Sequence, residues 1–420
     1  MVTAARPRAK TEVPGPGPGG LRERISKKQR ARQVQLPPSL ARYARSKIGW
    51  RTNCDLTVLR EGGETYPAML AAIASAKRSI CFETYILEAD QTGDRFRDAL
   101  VERARAGVSV RLIYDAVGSI ALPGHWVENL RREKIEVVSF NPIRAWRRKW
   151  AFSHRDHRKI LVVDDAVAFT GGLNISNDYA TVADGGEGWH DMHCRVHGAV
   201  VTDLARMFRR TWLVLGGSDY PAPPLAHPTV PGTGAAATGG FVRLLDNTRR
   251  KQRSAVRATY LHVIRQARTS LLLENAYFLP DRGLRRALVR AVQRGVRVCV
   301  IAPGHSDVRL VEYASLYVMR RLAGYGVQIL RWRGPMMHAK TATVDGAWST
   351  IGSYNFDAQS RFRNLEVTLE ILDAQIAAEM VQQFERDRTN CEEFSAESWG
   401  HLPWWKKGLA WLAYRFRRFL

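Results

Sequence analysis

No run of eighteen or more apolar residues occurs in the sequence, so no transmembrane helix is expected from it. The opening stretch, MVTAARPRAKTEVPGPGPGG, lacks an apolar segment of signal-peptide length, which gives no indication of secretion. Cysteine is scarce and scattered, at Cys54, Cys81, Cys194, Cys299 and Cys391. None forms a CxxC pair, so neither a zinc ribbon nor a disulfide framework is suggested, and a reducing compartment fits. Acidic residues are also in short supply. Against 40 Asp+Glu stand 64 Lys+Arg, a formal net charge of +24. Such an excess says nothing about fold, but it calls for an anionic partner, either nucleic acid or an acidic membrane surface. Without a spanning helix, contact with a membrane would be peripheral.

What is present is a globular chain: 420 residues, 45% hydrophobic and 25% charged, enough for two domains with full cores. Residues 1–45, rich in Pro, Gly and basic side chains, read as a disordered cationic arm. From Cys54 the pattern becomes ordered. YPAMLAAIASAKR reads as a helix, SICFETYIL as a strand, FRDALVERARAGV as a helix ending at Gly107, and SVRLIYDAVGS as a strand. The order then repeats. TYLHVIRQAR, TSLLLENAYFL, LRRALVRAVQRGV (ending at Gly295) and RVCVIAPG give helix, strand, helix and strand again. Alternating strands and helices indicate an α/β fold, and the duplication indicates two similar halves. The expected boundaries are 46–220 and 241–395 for the halves, with residues 221–240 as a Pro/Gly/Ala-rich linker.

Each half carries one constellation. His157, Lys159, Asp164, Gly171 and Asn174 are matched by His338, Lys340, Asp345, Gly352 and Asn355 in the pattern H-x-K-x4-D-x6-G-[GS]-x-N. The offset is constant, since 338 − 157 and 355 − 174 are both 181. In His-x-Lys on a strand, imidazole and ammonium point to the same side. A strand, a tight turn bearing the Asp, and a returning strand then deliver a Gly-x-x-Asn loop, whose small residues allow close approach to a ligand. Two such sets surround one tetrahedral phosphorus far better than one does.

The chemistry follows from that inventory. A neutral imidazole attacks phosphorus, its protonated partner donates to the leaving alkoxide, and a phosphohistidine results. The second imidazole then acts as base on an acceptor hydroxyl. Lys159, Lys340, Asn174 and Asn355 would stabilise the equatorial oxygens. No carboxylate cluster sits near either motif, so no metal and no other cofactor is expected. A nucleophilic imidazole needs its other nitrogen fixed by an acceptor. Asp191 and Glu366, 34 and 28 residues after the histidines of their own halves, are the candidates.

These residues resemble the phospholipase D superfamily, whose signature is the duplicated HKD motif, over roughly Cys54 to Glu393. The wording HRKILVVDDAVAFTGGLNIS, FETYIL, ENAYFLP and HAKTATVDGAWSTIGSYNFD resembles bacterial cardiolipin synthases of the short branch without N-terminal transmembrane helices. The resemblance implies two phospholipase D-like lobes, each a mixed central sheet flanked by helices. It implies pseudo-two-fold symmetry, one shared active site, and His157 and His338 as nucleophile and acid/base, with His157 the attacking residue. Asp164 and Asp345 complete the motif, with a supporting rather than bond-making role expected. Gly172 departs from Ser353, so only the second half offers a hydroxyl to phosphate or to a histidine. The implied reaction moves a phosphatidyl group from one phosphatidylglycerol to a headgroup hydroxyl of another, releasing glycerol. Water as acceptor would make a phospholipase D hydrolase instead.

The last residues, PWWKKGLAWLAYRFRRFL, place Trp405, Leu409, Leu412, Phe416 and Phe419 on one helical face, with basic residues off it. Residues 396–420 therefore read as a basic amphipathic helix for an anionic membrane interface. The alternative is a terminal helix packed on the enzyme itself. A second basic-aromatic stretch, residues 143–155, reads as a headgroup contact or a solvated loop. His190 and His193 fall on opposite faces of a strand, which argues against a zinc pair. A peripheral protein on the cytoplasmic face of the bacterial inner membrane is the expected setting. A nuclease of the same superfamily stays open on charge alone, although no nucleic-acid-binding module is recognisable and no nucleic-acid partner is expected. A catalytically dead scaffold is disfavoured because both motifs are intact. The acceptor and the oligomeric state are not legible.

Overall fold

The computed structural model describes residues 34–142, 154–223, 240–247 and 255–420. The expectations for residues 1–33, for 143–153 and for most of the 221–240 linker lie outside the described residues.

Strand segments of the first half are β2 (Cys54–Arg60), β3 (Ser79–Thr84), β4 (Ser109–Asp115), β5 (Glu136–Phe140), β6 (Ile160–Val163), β7 (Val167–Gly171) and β8 (Met192–Gly198), preceded by the short β1 (Trp50–Arg51). Those of the second are β9 (Phe241–Asp246), β10 (Ser270–Asn275), β11 (Arg297–Pro303), β12 (Gln328–Trp332), β13 (Lys340–Val344), β14 (Trp348–Gly352), β15 (Val367–Leu372) and β16 (Cys391–Glu393). The first sheet runs β2-β8-β7-β6-β3-β4-β5, and the second repeats that order as β9-β15-β14-β13-β10-β11-β12, with β1 and β16 added at its two edges. In the first sheet β3, β4 and β5 run parallel, in the second β10, β11 and β12 do, and the other pairings are antiparallel. The duplication in sequence is thus a duplication of topology, strand for strand.

Helix ends obey local rules. Asp90, Asp281 and Asp373 cap helices Gln91–Arg105, Arg282–Gln293 and Ala374–Thr389 through backbone N–H groups. Gly107 and Gly295, at φ +86° and +84°, take the left-handed turn after two of the repeated helices, where the sequence put their ends.

One apolar core joins side chains of both sheets with helices Ala199–Val214 and Ala374–Thr389, while a separate core lies on the other side of each sheet. Strands β6 and β13 are buried along their whole length, as strands covered on both faces are. Residues 34–420 form one compact unit. The arm expected to extend to residue 45 does not: Tyr43 is buried, donates to Asp345 Oδ2 (2.7 Å), and Leu36, Leu40 and Trp50 join the second half's core. Strand β1 then pairs with β9, so residues 34–51 belong to the second sheet and not to the first half. A few apolar anchors in a Pro- and Arg-rich stretch suffice for this, and composition averaged over the window hides them.

The C-terminal segment forms helices Ala396–His401 and Trp404–Arg415. The longer one docks through small residues, with Ala410 and Ala413 buried and Tyr414 stacked on Tyr317 at 4.6 Å. Its large side chains face out: Trp404 is 84% exposed and Phe416 55%. The segment thus packs on the second half through one face, as the alternative reading had it, and leaves the face bearing Trp404 and Phe416 exposed.

Candidate active site

Each motif occupies a hairpin. Between β6 and β7 the turn is Asp164-Asp165, both at φ +53°, and between β13 and β14 it is Asp345-Gly346, at +53° and +59°. These left-handed pairs suit the two-residue hairpin turn. The Asp164 carboxylate accepts the backbone N–H groups of Lys77, Arg78 and Ser79 at 2.7–2.8 Å. Asp345 accepts those of Arg268, Thr269 and Ser270 in the same way. These charge-assisted bonds hold the Asp345 carboxyl below its ordinary range against the opposing effect of its burial. Both motif aspartates therefore pin a hairpin to the start of the neighbouring strand, outside the cavity described next.

The histidines are placed by pairing between lobes. His157 N–H donates to Leu365 O at 3.0 Å, and His338 N–H donates to His190 O at 2.7 Å. Leu365 and His190 immediately precede the two candidate acids. In consequence His157 Nδ1 lies 3.1 Å from Glu366 Oε2, and His338 Nδ1 lies 2.7 Å from Asp191 Oδ2. The sequence reading had each acid serving the histidine of its own half. The structure exchanges them: Glu366 holds His157 and Asp191 holds His338. Sequence distance favoured the nearer acid, whereas the two short bridges bring the opposite strand alongside each motif.

Gly172 and Ser353 fit this exchange. A Cβ at Gly172 would overlap the carboxylate of Asp191. Ser353 Oγ donates to Glu366 Oε2 and accepts from Val367 N at 3.1 Å. The shorter acid is packed on a glycine and the longer one is steadied by a hydroxyl. Ser353 is therefore committed to the acid, which corrects the expectation that it meets phosphate.

A cavity of about 530 Å³ is lined by His157, His338, Asn174 and Asn355, together with Tyr85, Tyr179, Trp189, Tyr277, Arg155 and Asp357. Asn174 is engaged at both ends, accepting from Ile86 N (3.1 Å) and donating to Tyr179 Oη (2.7 Å), which stands 3.1 Å from His338 Nδ1. Asn355 Oδ1 is buried without a hydrogen-bonded partner. Lys159 Nζ donates to His157 O at 2.8 Å, and Lys340 Nζ donates to His338 O. Both ammonium groups lie just behind the cavity wall, not among its lining.

Burial dominates the electrostatics. It lowers the proton affinity of His157, with the charge of Lys159 adding to the effect. His338 is pushed well below the ordinary imidazole range by burial and then by Lys340 and Lys159. The same burial, reinforced by Lys340, brings Lys159 down to about 7, and burial brings Lys340 down to about 8. Burial drives Asp191 up against the pull of Lys340. Four basic groups held below their ordinary proton affinities by burial would regain them beside an anion, which suits the cavity to one.

Tyr179, Tyr85, Trp189 and Arg155 were missed from sequence. Tyr179 follows Asn174 by five residues with no pattern to mark it, and Arg155 is fixed by Asp115 (3.0 Å), far off in sequence.

Two lobes with one cavity between mirrored His-x-Lys hairpins define a phospholipase D-like protein. The family described as "Cardiolipin synthase, PLD-like domain" matches residues 69–212 and 260–388, and the chain belongs to it. A cardiolipin synthase of Geobacillus kaustophilus is 31% identical over 351 residues, 82% of this chain and 68% of that protein. Cardiolipin synthase 1 of Bacillus anthracis is 31% identical over 360 residues, 85% of this chain and 70% of that protein. The crystal structure of a phosphatidylserine synthase from Haemophilus influenzae Rd KW20 has a TM-score of 0.68, covering 87% of this chain and 95% of that one at 14% identity, a likeness of fold.

Proposed function

We propose that this chain is a cardiolipin synthase-type phosphatidyltransferase, moving a phosphatidyl group from one phosphatidylglycerol to a headgroup hydroxyl of another through a phosphohistidine. The observation that carries the reading is the crossed pairing: two imidazoles in one buried cavity, each with Nδ1 held by a carboxylate of the opposite lobe. With its proton kept at Nδ1, the neutral ring presents the Nε2 lone pair to phosphorus. We assign attack to His157 and proton delivery to the departing glycerol oxygen to His338. The charge of the bound phosphodiester lets His338 take up that proton against its burial. His338 then takes the proton of the incoming hydroxyl, which attacks the phosphohistidine and frees His157. Lys159 and Lys340 place positive potential beneath the phosphoryl oxygens, Tyr179, positioned by Asn174, supplies a hydroxyl at the cavity wall, and Asn355 offers its amide. The reading assigns no metal to phosphorus.

The surroundings support an anionic lipid as the substrate. A second cleft of about 860 Å³, lined by Arg257, Arg282, Arg361, Arg363, Arg417 and Arg418, shares Asp357 with the cavity. Phe419 and Leu420 reach the cavity itself, so the exposed aromatic face of the terminal helix leads toward it. Among the described residues no helix is long and apolar enough to cross a membrane. We infer a peripheral enzyme, on the cytoplasmic face of the bacterial inner membrane.

The test is turnover of labelled phosphatidylglycerol in mixed micelles by wild type, His157→Ala and His338→Ala. Cardiolipin and free glycerol from wild type, reduced at least about a thousandfold in both variants, are expected. Phosphatidic acid alone would make the chain a hydrolase. Cleavage of plasmid DNA with no lipid turnover would overturn the lipid reading.

A further inference from the structure

The two lobes differ at one buried place behind the site. In the first, Glu83 on β3 faces Arg158, the residue between the motif His and Lys, at 2.8 Å. Arg158 also binds Asp156 (2.9 Å) and Thr211 Oγ1 (2.8 Å) of helix Ala199–Val214. A guanidinium thus fills the space between strand, motif and helix. In the second lobe Glu274 takes the position of Glu83, since Glu83 pairs with Ile160 and Glu274 with Thr341, 181 residues on. The residue equivalent to Arg158 is Ala339, so the side-chain cation is missing. The helix equivalent to Ala199–Val214 instead contributes Asp387, and His190 enters from the other lobe.

His190, Glu274 and Asp387 are 2%, 3% and 4% exposed, and one ligand atom from each lies within 4.8 Å of the others. The second atom of each group is held from outside. His190 Nδ1 lies 2.8 Å from Glu61 Oε1, Thr341 Oγ1 donates to Glu274 Oε2 at 2.7 Å, and Gln383 Nε2 donates to Asp387 Oδ1 at 2.9 Å. What remains is His190 Nε2, Glu274 Oε1 and Asp387 Oδ2, none with a hydrogen-bonded partner outside the group. Nε2 and Oδ2 stand 3.2 Å apart, a spacing that two ligands of one small cation share. A carboxylate on the far nitrogen of a ligating histidine is the arrangement that fixes its tautomer. Glu61, which supplies it, is itself held at φ +52°, a backbone conformation a glutamate adopts only under local constraint.

We propose that His190, Glu274 and Asp387 form a binding site for a divalent cation of the zinc or manganese type, standing where the first lobe has Arg158. One imidazole and two carboxylates suit such an ion, whereas calcium and magnesium favour oxygen-only shells. His190 comes from the first lobe, Glu274 and Asp387 from the second, so the ion ties the lobes together. Its position is next to the chemistry without being part of it: His190 O accepts the His338 N–H, and the following residue, Asp191, holds the His338 ring. We read it as a structural ion that keeps His338 aligned.

The probe is Zn²⁺ and the protein is the full chain without an affinity tag. After equilibration with Zn²⁺ and dialysis into metal-free buffer, wild type should retain about one ion per chain, and Glu274→Gln and Asp387→Asn less than about a tenth. Zn²⁺ should raise the melting temperature of wild type by about 2–5 °C and leave both variants unmoved. Wild type that retains no ion and shows no thermal shift would overturn the proposal and leave a cluster held by shared protons. Retention by both variants equal to that of wild type would place the ion elsewhere and overturn it equally.

Discussion

Lysine is an expensive side chain to bury, and this site buries two. Lys159 is brought down to about 7 and Lys340 to about 8, in both cases first by desolvation. In the unfolded chain both would hold their protons up to about pH 10. Between about pH 7 and 10 the folded state therefore binds fewer protons than the unfolded one, and stability rises with pH across that window. Below it the charged lysines oppose folding in full. Lys159→Met should then melt higher than wild type at pH 6–7, with the gap closing toward pH 10, while turnover falls by at least about a hundredfold. Thermal scans over that range check the first part and the micelle assay the second. A uniform shift at all pH values would show that methionine packing, and not charge, was responsible. The same depression makes the free site receptive, because an incoming phosphodiester adds negative charge beside ammonium groups that burial disfavours.

At the level of elements, the terminal helix uses its two faces for different purposes. Its alanines sit on helix Arg309–Ala323, and its Trp and Phe side chains are left in solvent, a costly exposure unless something apolar covers them. Periodicity alone put Trp405, Leu409, Leu412, Phe416 and Phe419 on one face, and all five are exposed, because a helical period projects directly onto a surface. Much else at this scale was equally legible. The repeated strands and helices, their glycine ends and the hairpins carrying the motifs all follow from local pattern. The docking of residues 34–51 on the second sheet did not, since it depends on a partner nearly 200 residues away (Trp50 beside Arg243). Replacing Trp404, Trp411 and Phe416 together by Ser should weaken binding to phosphatidylglycerol vesicles by about 10–100-fold. Turnover of a dispersed short-chain substrate should change little, and flotation set beside that assay separates the two effects. Unchanged flotation would mean that the aromatic face has another role.

Across the whole molecule, the governing feature is that neither lobe owns a complete histidine. The constant offset of 181 announced two equivalent halves, and equivalence suggested that each half would orient its own imidazole. The exchange arises from the bridges Asp156 to Leu365 and His190 to Met337, which no spacing within one half encodes. The same long reach explains why His190, Glu274 and Asp387 could not be seen as a group: they come from three elements spread over 197 residues (387 − 190), and the strand rule applied to His190 and His193 looked only at neighbours. The crossing also makes a claim about chain stoichiometry. Because both lobes share one core through helices Ala199–Val214 and Ala374–Thr389, a single chain should hold the complete site. A chain carrying His157→Ala retains His338 with Asp191, and one carrying His338→Ala retains His157 with Glu366, yet neither can lend its intact half to the other without opening that core. Mixing the two variants, even after joint unfolding and refolding, should thus recover less than about one per cent of wild-type turnover. Recovery approaching a quarter of it would mean that lobes exchange between chains and that the working site is assembled from two molecules.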